Sequence, residues 1–492
     1  MQMGGSAQAQ SESDVVSHTP LEEPADPVTS SRPDTSNTAW RRFRPLLLRL
    51  HFYAGVFIGP FILVAACTGL MYALIPQIDS LSTRHERTVE QVGDRALPLA
   101  RQVAAARAAH PEGTVASIRP PANEHETTQV TLAVDDVPAG YARTVFVDPY
   151  TGDIRGALTT FGEWMPVRAW FDELHRNLHL GVVGRNYSEL AASWLWAVVV
   201  AGVAMWIGHR KRTGALRRLL LADRDATVRR RLISWHGAVG TWLVVALLGL
   251  SITGMTWSRF AGASIDALQA QLDTKPPAVD TSIAVESGEP ATGGHHGAAH
   301  PAPNLSERDA LQGVDVALSS AREAGLANPL LMYPPAGADE GWLVAENKRS
   351  WPTRYDAISV DPHTGAVTDR ADFSDWPLLA KLTDWAIGAH MGILFGLVNQ
   401  IVLAAVAVGL IVTVLIGYRM WWRRRPTGGG LPAGPRRGAL TGLKPAEAVL
   451  VVAVLAVVGF FAPAFGVSLA TFLALDVAIG WWKSRRPTDA RQ

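Results

Sequence analysis

The segment VFVDPYTGDIRG (145–156) returns later in the chain as ISVDPHTGAVTDR (358–370). Each reads as a strand of alternating apolar residues, a turn at Asp-Pro-x-Thr-Gly and a short return strand. Asp148, Pro149, Thr151 and Gly152 match Asp361, Pro362, Thr364 and Gly365. The match extends outward. Trp170 precedes His175 by five residues and Gly181 follows it by six, and Trp385 and Gly396 flank His390 at the same distances. Upstream, His51 is followed by Gly55, Thr68 and Gly69, and His236 by Gly240, Thr253 and Gly254 at identical offsets. The chain therefore reads as a tandem duplication, about 40–212 and 230–425.

The composition is that of a membrane protein. Of 492 residues, 48 % are apolar and only 18 % charged, against roughly 25 % charged in an average soluble chain. The apolar residues are gathered in runs long enough to cross a bilayer, at about 46–74, 190–207, 235–255, 391–416, 446–461 and 465–482. The last two are short and read as a hairpin turning at Pro463. The expected fold is an α-helical polytopic membrane protein of six transmembrane helices. It is built as a duplicated unit of helix, external α+β domain and helix, plus the C-terminal hairpin.

Lys/Arg placement sets orientation. Arg41, Arg42, Arg44 and Arg49 precede or open the first span, and HRKRTGALRRLLLADRDATVRRR (209–231) joins the second and third. RMWWRRRP (419–426) follows the fourth, and Lys483, Arg485 and Arg486 follow the sixth. All these clusters fall on one side, so both termini are expected in the cytosol. The polar residues 1–40 read as a disordered tail without a signal peptide. Spans are then expected at 41–76, 188–208, 235–257, 390–418 and, as the hairpin, 446–482. Basic cytosolic loops fall at 209–234 and 419–445, external domains at 77–187 and 258–389, and a cytosolic tail at 483–492. Because each half begins and ends in the cytosol, the halves are parallel repeats about an axis along the membrane normal.

Several function classes are excluded. Forty-five Lys+Arg against 44 Asp+Glu leave no basic face for nucleic acid once the loop charges are placed. One cysteine, Cys67, excludes an intramolecular disulfide, a thiolate zinc site, an iron–sulfur cluster and CxxCH haem attachment. No GxGxxG follows a strand, and the cytosolic loops are too short for a nucleotide or flavin domain.

The H-x3-G…TG spans, the VDPxTG turns and LHRNLHLGVVGR (174–185) together resemble the PepSY-associated transmembrane helix family over about 40–425. That family includes bacterial inner-membrane ferric-siderophore reductases with two b-type haems. The resemblance implies a multi-pass inner (plasma) membrane protein, embedded in lipid, that bears two haem b and conducts electrons. An external ferric chelate or siderophore would be the acceptor, and a cytosolic reductase or a quinol the donor.

The histidines lead the same way on their own. An ionisable side chain at membrane depth is costly and usually faces the bundle interior with a task. His51 and His236 open spans one and three at the cytosolic end, and His175 and His390 stand at the outer ends of spans two and four. Neutral imidazole is a good axial ligand for haem iron, and two on facing helices hold a haem in a bundle. Gly55 and Gly240, one turn after His51 and His236, would let a porphyrin plane approach the backbone. The plainer reading is helix-end histidines with hydrogen-bonding duty, against which the duplication of the pair weighs, and a third is a proton-relay histidine chain in a transporter. His179, four residues after His175, competes with it as a ligand, although the second repeat has Leu394 at that offset. With irons near opposite ends of the spans, electron transfer would be outer-sphere, and no general acid or nucleophile is expected.

GGHHGAAHPAP (293–303) brings together His295, His296 and His300 within the low-complexity insert 274–304. Such a tract can hold copper or nickel loosely, or be a linker with incidental histidines. Two other functions compete with the reductase. One is a non-redox sensor whose external domains bind a peptide or protease. The other is a transporter or metal-transport accessory, against which stands the expected lack of a broken helix pair and of intramembrane carboxylates beyond Asp476.

Overall fold

A computed structural model describes residues 36–213, 216–224, 227–283, 311, 313–426, 430–432, 434, 435, 437 and 442–484. The first half begins with helices α1 (Ser36–Phe57), α2 (Gly59–Ala73), α3 (Ile75–Ser82), α4 (Arg84–Arg87) and α5 (Leu99–Ala109). Strands β1 (Thr114–Arg119), β2 (Thr128–Ala133), β3 (Tyr141–Val147) and β4 (Ile154–Phe161) follow, then α6 (Pro166–Asn177) and α7 (Gly181–Arg212). The second half runs through α8 (Val228–Thr256), α9 (Phe260–Gln271) and α10 (Val314–Glu323). Next come β5 (Leu330–Tyr333), β6 (Trp342–Glu346), β7 (Ala357–Val360) and β8 (Val367–Ala371), then α11 (Leu378–His390) and α12 (Gly396–Trp422). Helices α13 (Pro445–Phe461) and α14 (Pro463–Ser484) end the described chain.

Among the described residues α7, α8, α12 and α14 are long and apolar enough to cross a membrane. Helices α1 and α2 pass the same test only as a pair, bent by 59°, and make a fifth candidate span if the pair is counted as one. The cause of the bend is Pro60. It has no N–H to give the Val56 carbonyl, and the helix kinks there. The freed carbonyl is not left bare, since Tyr418 of α12 donates its hydroxyl to it at 2.9 Å. Gly59 makes room for that tyrosine, because a Cβ there would stand 2.9 Å from its hydroxyl oxygen. The span expected at 446–461, α13, is apolar but only 17 residues long. It forms a hairpin with α14 that turns at Ala462–Pro463, where Gly459 and Gly466 let the backbones touch. Arg42 grips Glu447 through two nitrogens, and Arg49 reaches Asp476 at 2.9 Å, so the hairpin is tied to α1.

The two external domains expected from the repeat are one layer in the structure. The eight strands form a single antiparallel sheet in the order β4-β3-β2-β1-β5-β6-β7-β8, closed across its middle where Ile118 pairs with Met332. Four strands alone would leave β1 and β5 as open edges, and pairing them removes both. One core runs through the seam. Val103 and Ala106 of α5 and Ala317 and Ala321 of α10 pack over Ile118 and Met332. The halves also share a helix cap: Asp315 of α10 accepts the backbone N–H groups of Leu99 and Ala100, at 2.5 and 3.2 Å, at the start of α5.

The Asp-Pro-x-Thr-Gly motif folds the same way in both copies. Asp148 Oδ1 accepts from the N–H of Tyr150 and Thr151, and Asp361 Oδ1 from those of His363 and Thr364. Gly152 and Gly365 close the turns at φ +80° and +73°, a region glycine enters without a Cβ penalty.

Candidate functional site

The structure brings the four repeat-related histidines together as two facing pairs. His51 and His236 have ring centroids 5.9 Å apart at an interplanar angle of 81°. His175 and His390 stand 6.4 Å apart at 54°. Each pair joins one histidine from each half. His51 and His236 project from α1 and α8. His175 and His390 do not sit on the spanning helices, as expected, but at the ends of α6 and α11. Reversals separate them from the spans that follow, through positive φ at Leu178, His179 and Gly181 in one half and at Gly392 and Gly396 in the other.

Hydrogen bonding sets the same ring nitrogen free in all four. Nδ1 of His51 lies 2.9 Å from the Val198 carbonyl, and Nδ1 of His236 lies 3.0 Å from that of Thr413. A carbonyl only accepts, so Nδ1 carries the proton and Nε2 the lone pair. Nδ1 of His175 meets Thr68 Oγ1 at 3.0 Å, and Nδ1 of His390 meets Thr253 Oγ1 at 2.5 Å. Each threonine hydroxyl gives its own proton to its helix, to the carbonyls of Val64 and Gly249 at 2.9 and 2.8 Å. With that proton on the helix, the oxygen is free to accept Nδ1–H, the arrangement in which Nε2 carries the lone pair.

Glycines make room for the rings. A Cβ on Gly202 would come within 2.9 Å of the His51 ring, and one on Gly69 within 3.1 Å of the His175 ring. Gly417 and Gly254 lie under His236 and His390, with corresponding gaps of 3.5 and 3.8 Å. At Gly55 and Gly240 a Cβ would meet nothing within 4 Å, so open space adjoins both helices one turn from the first pair. Tyr72 stacks on His175 with centroids 6.4 Å apart, and Trp257 meets His390 edge-on at 5.9 Å.

The sequence reading used Thr68-Gly69 and Thr253-Gly254 only as markers of the repeat. Here they are the hydrogen-bond acceptor and the clearance for the second pair. Val198-x3-Gly202 and Thr413-x3-Gly417 do the same for the first pair and were missed. Their equal spacing from His175 and His390 was the available signal.

His179 does not join the second pair. Helix α6 ends at Asn177, and with φ +54° His179 leaves the face that carries His175. It packs instead on Trp170, ring centroids 4.8 Å apart, with Nδ1 3.4 Å from Glu173. His295, His296 and His300 lie outside the described residues. Among the described residues no group of three or more His, Cys, Asp or Glu is placed to hold a metal ion.

Between the sheet and the second pair lies a polar cluster that links the halves. Glu163, after β4, accepts from Asn347 at 2.7 Å and from Arg349 at 3.2 Å, with Arg119 at 3.6 Å. Burial alone would push the Glu163 carboxyl up, but Arg349, Arg119 and the Asn347 amide outweigh it and hold the group below its ordinary value.

The donor set suits a low-spin haem: two imidazoles per site, each with Nδ1 anchored and Nε2 available, as metal-binding histidines are commonly held. With about 2 Å between each nitrogen and a shared metal, two imidazole ring centres lie roughly 6 Å apart, which both pairs satisfy. No curated protein sequence matches the chain. The family model described as the PepSY-associated TM region matches residues 48–424, both halves up to the end of α12, and the chain belongs to that family.

Proposed function

We propose that this protein conducts electrons across the membrane between two haem b sites and reduces an external ferric chelate, as a ferric-siderophore reductase does. The supporting observation is the double pairing: two sets of repeat-related imidazoles face each other at bis-histidine spacing, with every Nδ1 committed to a protein acceptor. His51 and His236 would hold one haem, and His175 and His390 the other. When bound, each would supply a one-electron ferric/ferrous couple.

The chain's own part is to position and to insulate. The Val198 and Thr413 carbonyls and the Thr68 and Thr253 hydroxyls fix ring orientation and raise imidazole basicity. The bundle would limit water at the sites, and the sheet would cover the second pair. In this reading the chain is a tandem duplication with six spans, placed in a bacterial inner membrane with both termini cytosolic by its Lys/Arg clusters. Electrons would enter from a cytosolic reductase or a quinol and leave to the chelate beneath the sheet. The hairpin α13–α14 would close the first half against lipid.

The test is a reduced-minus-oxidised spectrum of the detergent-purified chain, with haem quantified per chain. About two low-spin b haems are expected. His51→Ala should remove one and leave the other's spectrum intact, and His390→Ala should do the converse. A monodisperse, stable sample without haem would sink the reading and favour the sensor.

A further inference from the structure

Arg168 lies on α6 seven residues before His175, hence two turns toward the sheet on the same helix face and roughly 10 Å along the axis. Its Nε and one Nη both donate to the Tyr72 hydroxyl at 3.2 Å, and Tyr72 is the ring stacked on His175. Its guanidinium carbon is 3.8 Å from the centre of the Trp164 ring. The group is thus held on two sides, and three of its five N–H donors make no protein hydrogen bond among the described residues.

No carboxylate lies within ion-pairing distance of it among the described residues. Asp172, one turn away, pairs with Arg176 at 3.7 Å. Asp79 accepts the Arg168 backbone N–H at 3.1 Å and makes no contact with its guanidinium. The same indole carries a second guanidinium, Arg349, at 5.2 Å, and that one is paired with Glu163. Glu163, Asp172 and Asp79 all feel the charge of Arg168 without contacting its guanidinium, so the three unspent N–H donors are what it offers to the oxygens of an anion. The arrangement is not repeated: the second half has Trp257 where the first has Tyr72, and Thr383 where it has Arg168.

We propose that Arg168 binds a carboxylate beside the His175/His390 pair, either that of an anionic ferric chelate or that of a porphyrin held by the pair. This rests on the conduit reading for what the site serves, but binding at Arg168 can be measured without it.

The test uses the full-length chain in detergent, as wild type, Arg168→Gln and Arg168→Lys. Two quantities are read: equilibrium dialysis of iron-labelled ferric EDTA, an anionic chelate, beside neutral ferric tris-acetohydroxamate; and the content and midpoint potential of each haem. If the chelate supplies the carboxylate, Arg168→Gln weakens ferric EDTA binding at least about tenfold, leaving the neutral chelate and both haems unchanged. If the porphyrin supplies it, ferric EDTA binding is unchanged, and one of the two haems is lost or shifts its potential. Should Arg168→Gln not fold, Arg168→Lys, which keeps the charge but not the fork, must show the same pattern more weakly. Wild-type values in every measurement overturn the proposal. Ferric EDTA bound through Arg168 by a haem-free protein would uphold it while sinking the conduit reading.

Discussion

Thr68 Oγ1 stands 3.0 Å from His175 Nδ1 and 2.9 Å from the Val64 carbonyl, so a helix hydroxyl that gives its proton to its own helix can accept from the ring. Thr253 and His390 repeat the relationship in the other half. Thr68→Val keeps the shape and strands Nδ1–H. Outer-shell partners of this kind are worth about 10–100-fold in metal affinity, so haem occupancy at the second pair should fall while the first pair's spectrum stays. Thr68→Ser should restore it. Haem retention during dilution in detergent, for the three proteins side by side, measures the effect.

The hollow at Gly55 separates packing from cofactor space. Nothing lies within 4 Å of a Cβ built there, so Gly55→Leu should leave the thermal midpoint of the haem-free chain within about 2 °C of the parent. If a porphyrin lies against this face, the same change should lower haem at the first pair. Gly202→Val is the contrast, because its side chain would strike the His51 ring and disturb the pair with or without haem.

The Pro60 kink and Tyr418 are coupled through one carbonyl. Tyr418→Phe leaves Val56 O unpaired and should cost about 1–2 kcal/mol, the scale of interhelical hydrogen bonds in bilayers. Pro60→Ala restores an N–H for the same carbonyl, so the loss from Tyr418→Phe should shrink in that background. A double-mutant cycle on unfolding in mixed micelles reads the coupling, and additive effects would contradict this account.

Acid should loosen the contact between the halves beneath the sheet. The folded-state value of Glu163 is depressed, so its contribution is present above its ordinary value of 4.5 and is lost as the pH falls through the folded value. The midpoint of thermal unfolding should therefore drop below about pH 4.5, and Glu163→Gln should flatten that limb. An unchanged slope in the variant would assign the acid loss to other carboxylates.

How much of this was legible beforehand differs from residue to residue. The Asp-Pro-x-Thr-Gly turns were, because their hydrogen bonds run between neighbours in the chain: Asp148 to Tyr150, and Asp361 to His363. The apolar runs were, because hydropathy is summed locally. The four histidines could be chosen as candidates because the repeat marks them twice. The reversal after Asn177 was harder to read. It places Leu178 and His179 in the left-handed region, where nothing in their side chains foretells it, and so His179 looked like a neighbour of His175.

By itself the sequence determined the apolar runs, the two copies of the Asp-Pro-x-Thr-Gly motif and the residues able to act as ligands, since composition and spacing are properties of the chain alone. Tertiary structure decided which imidazole faces which, that α1 and α2 bend at Pro60, and that two four-stranded pieces share one sheet through Ile118 and Met332. Those outcomes depend on groups far apart in sequence finding the only partners that satisfy a buried donor, a freed carbonyl or an open strand edge. Such complementarity exists only after the halves have packed.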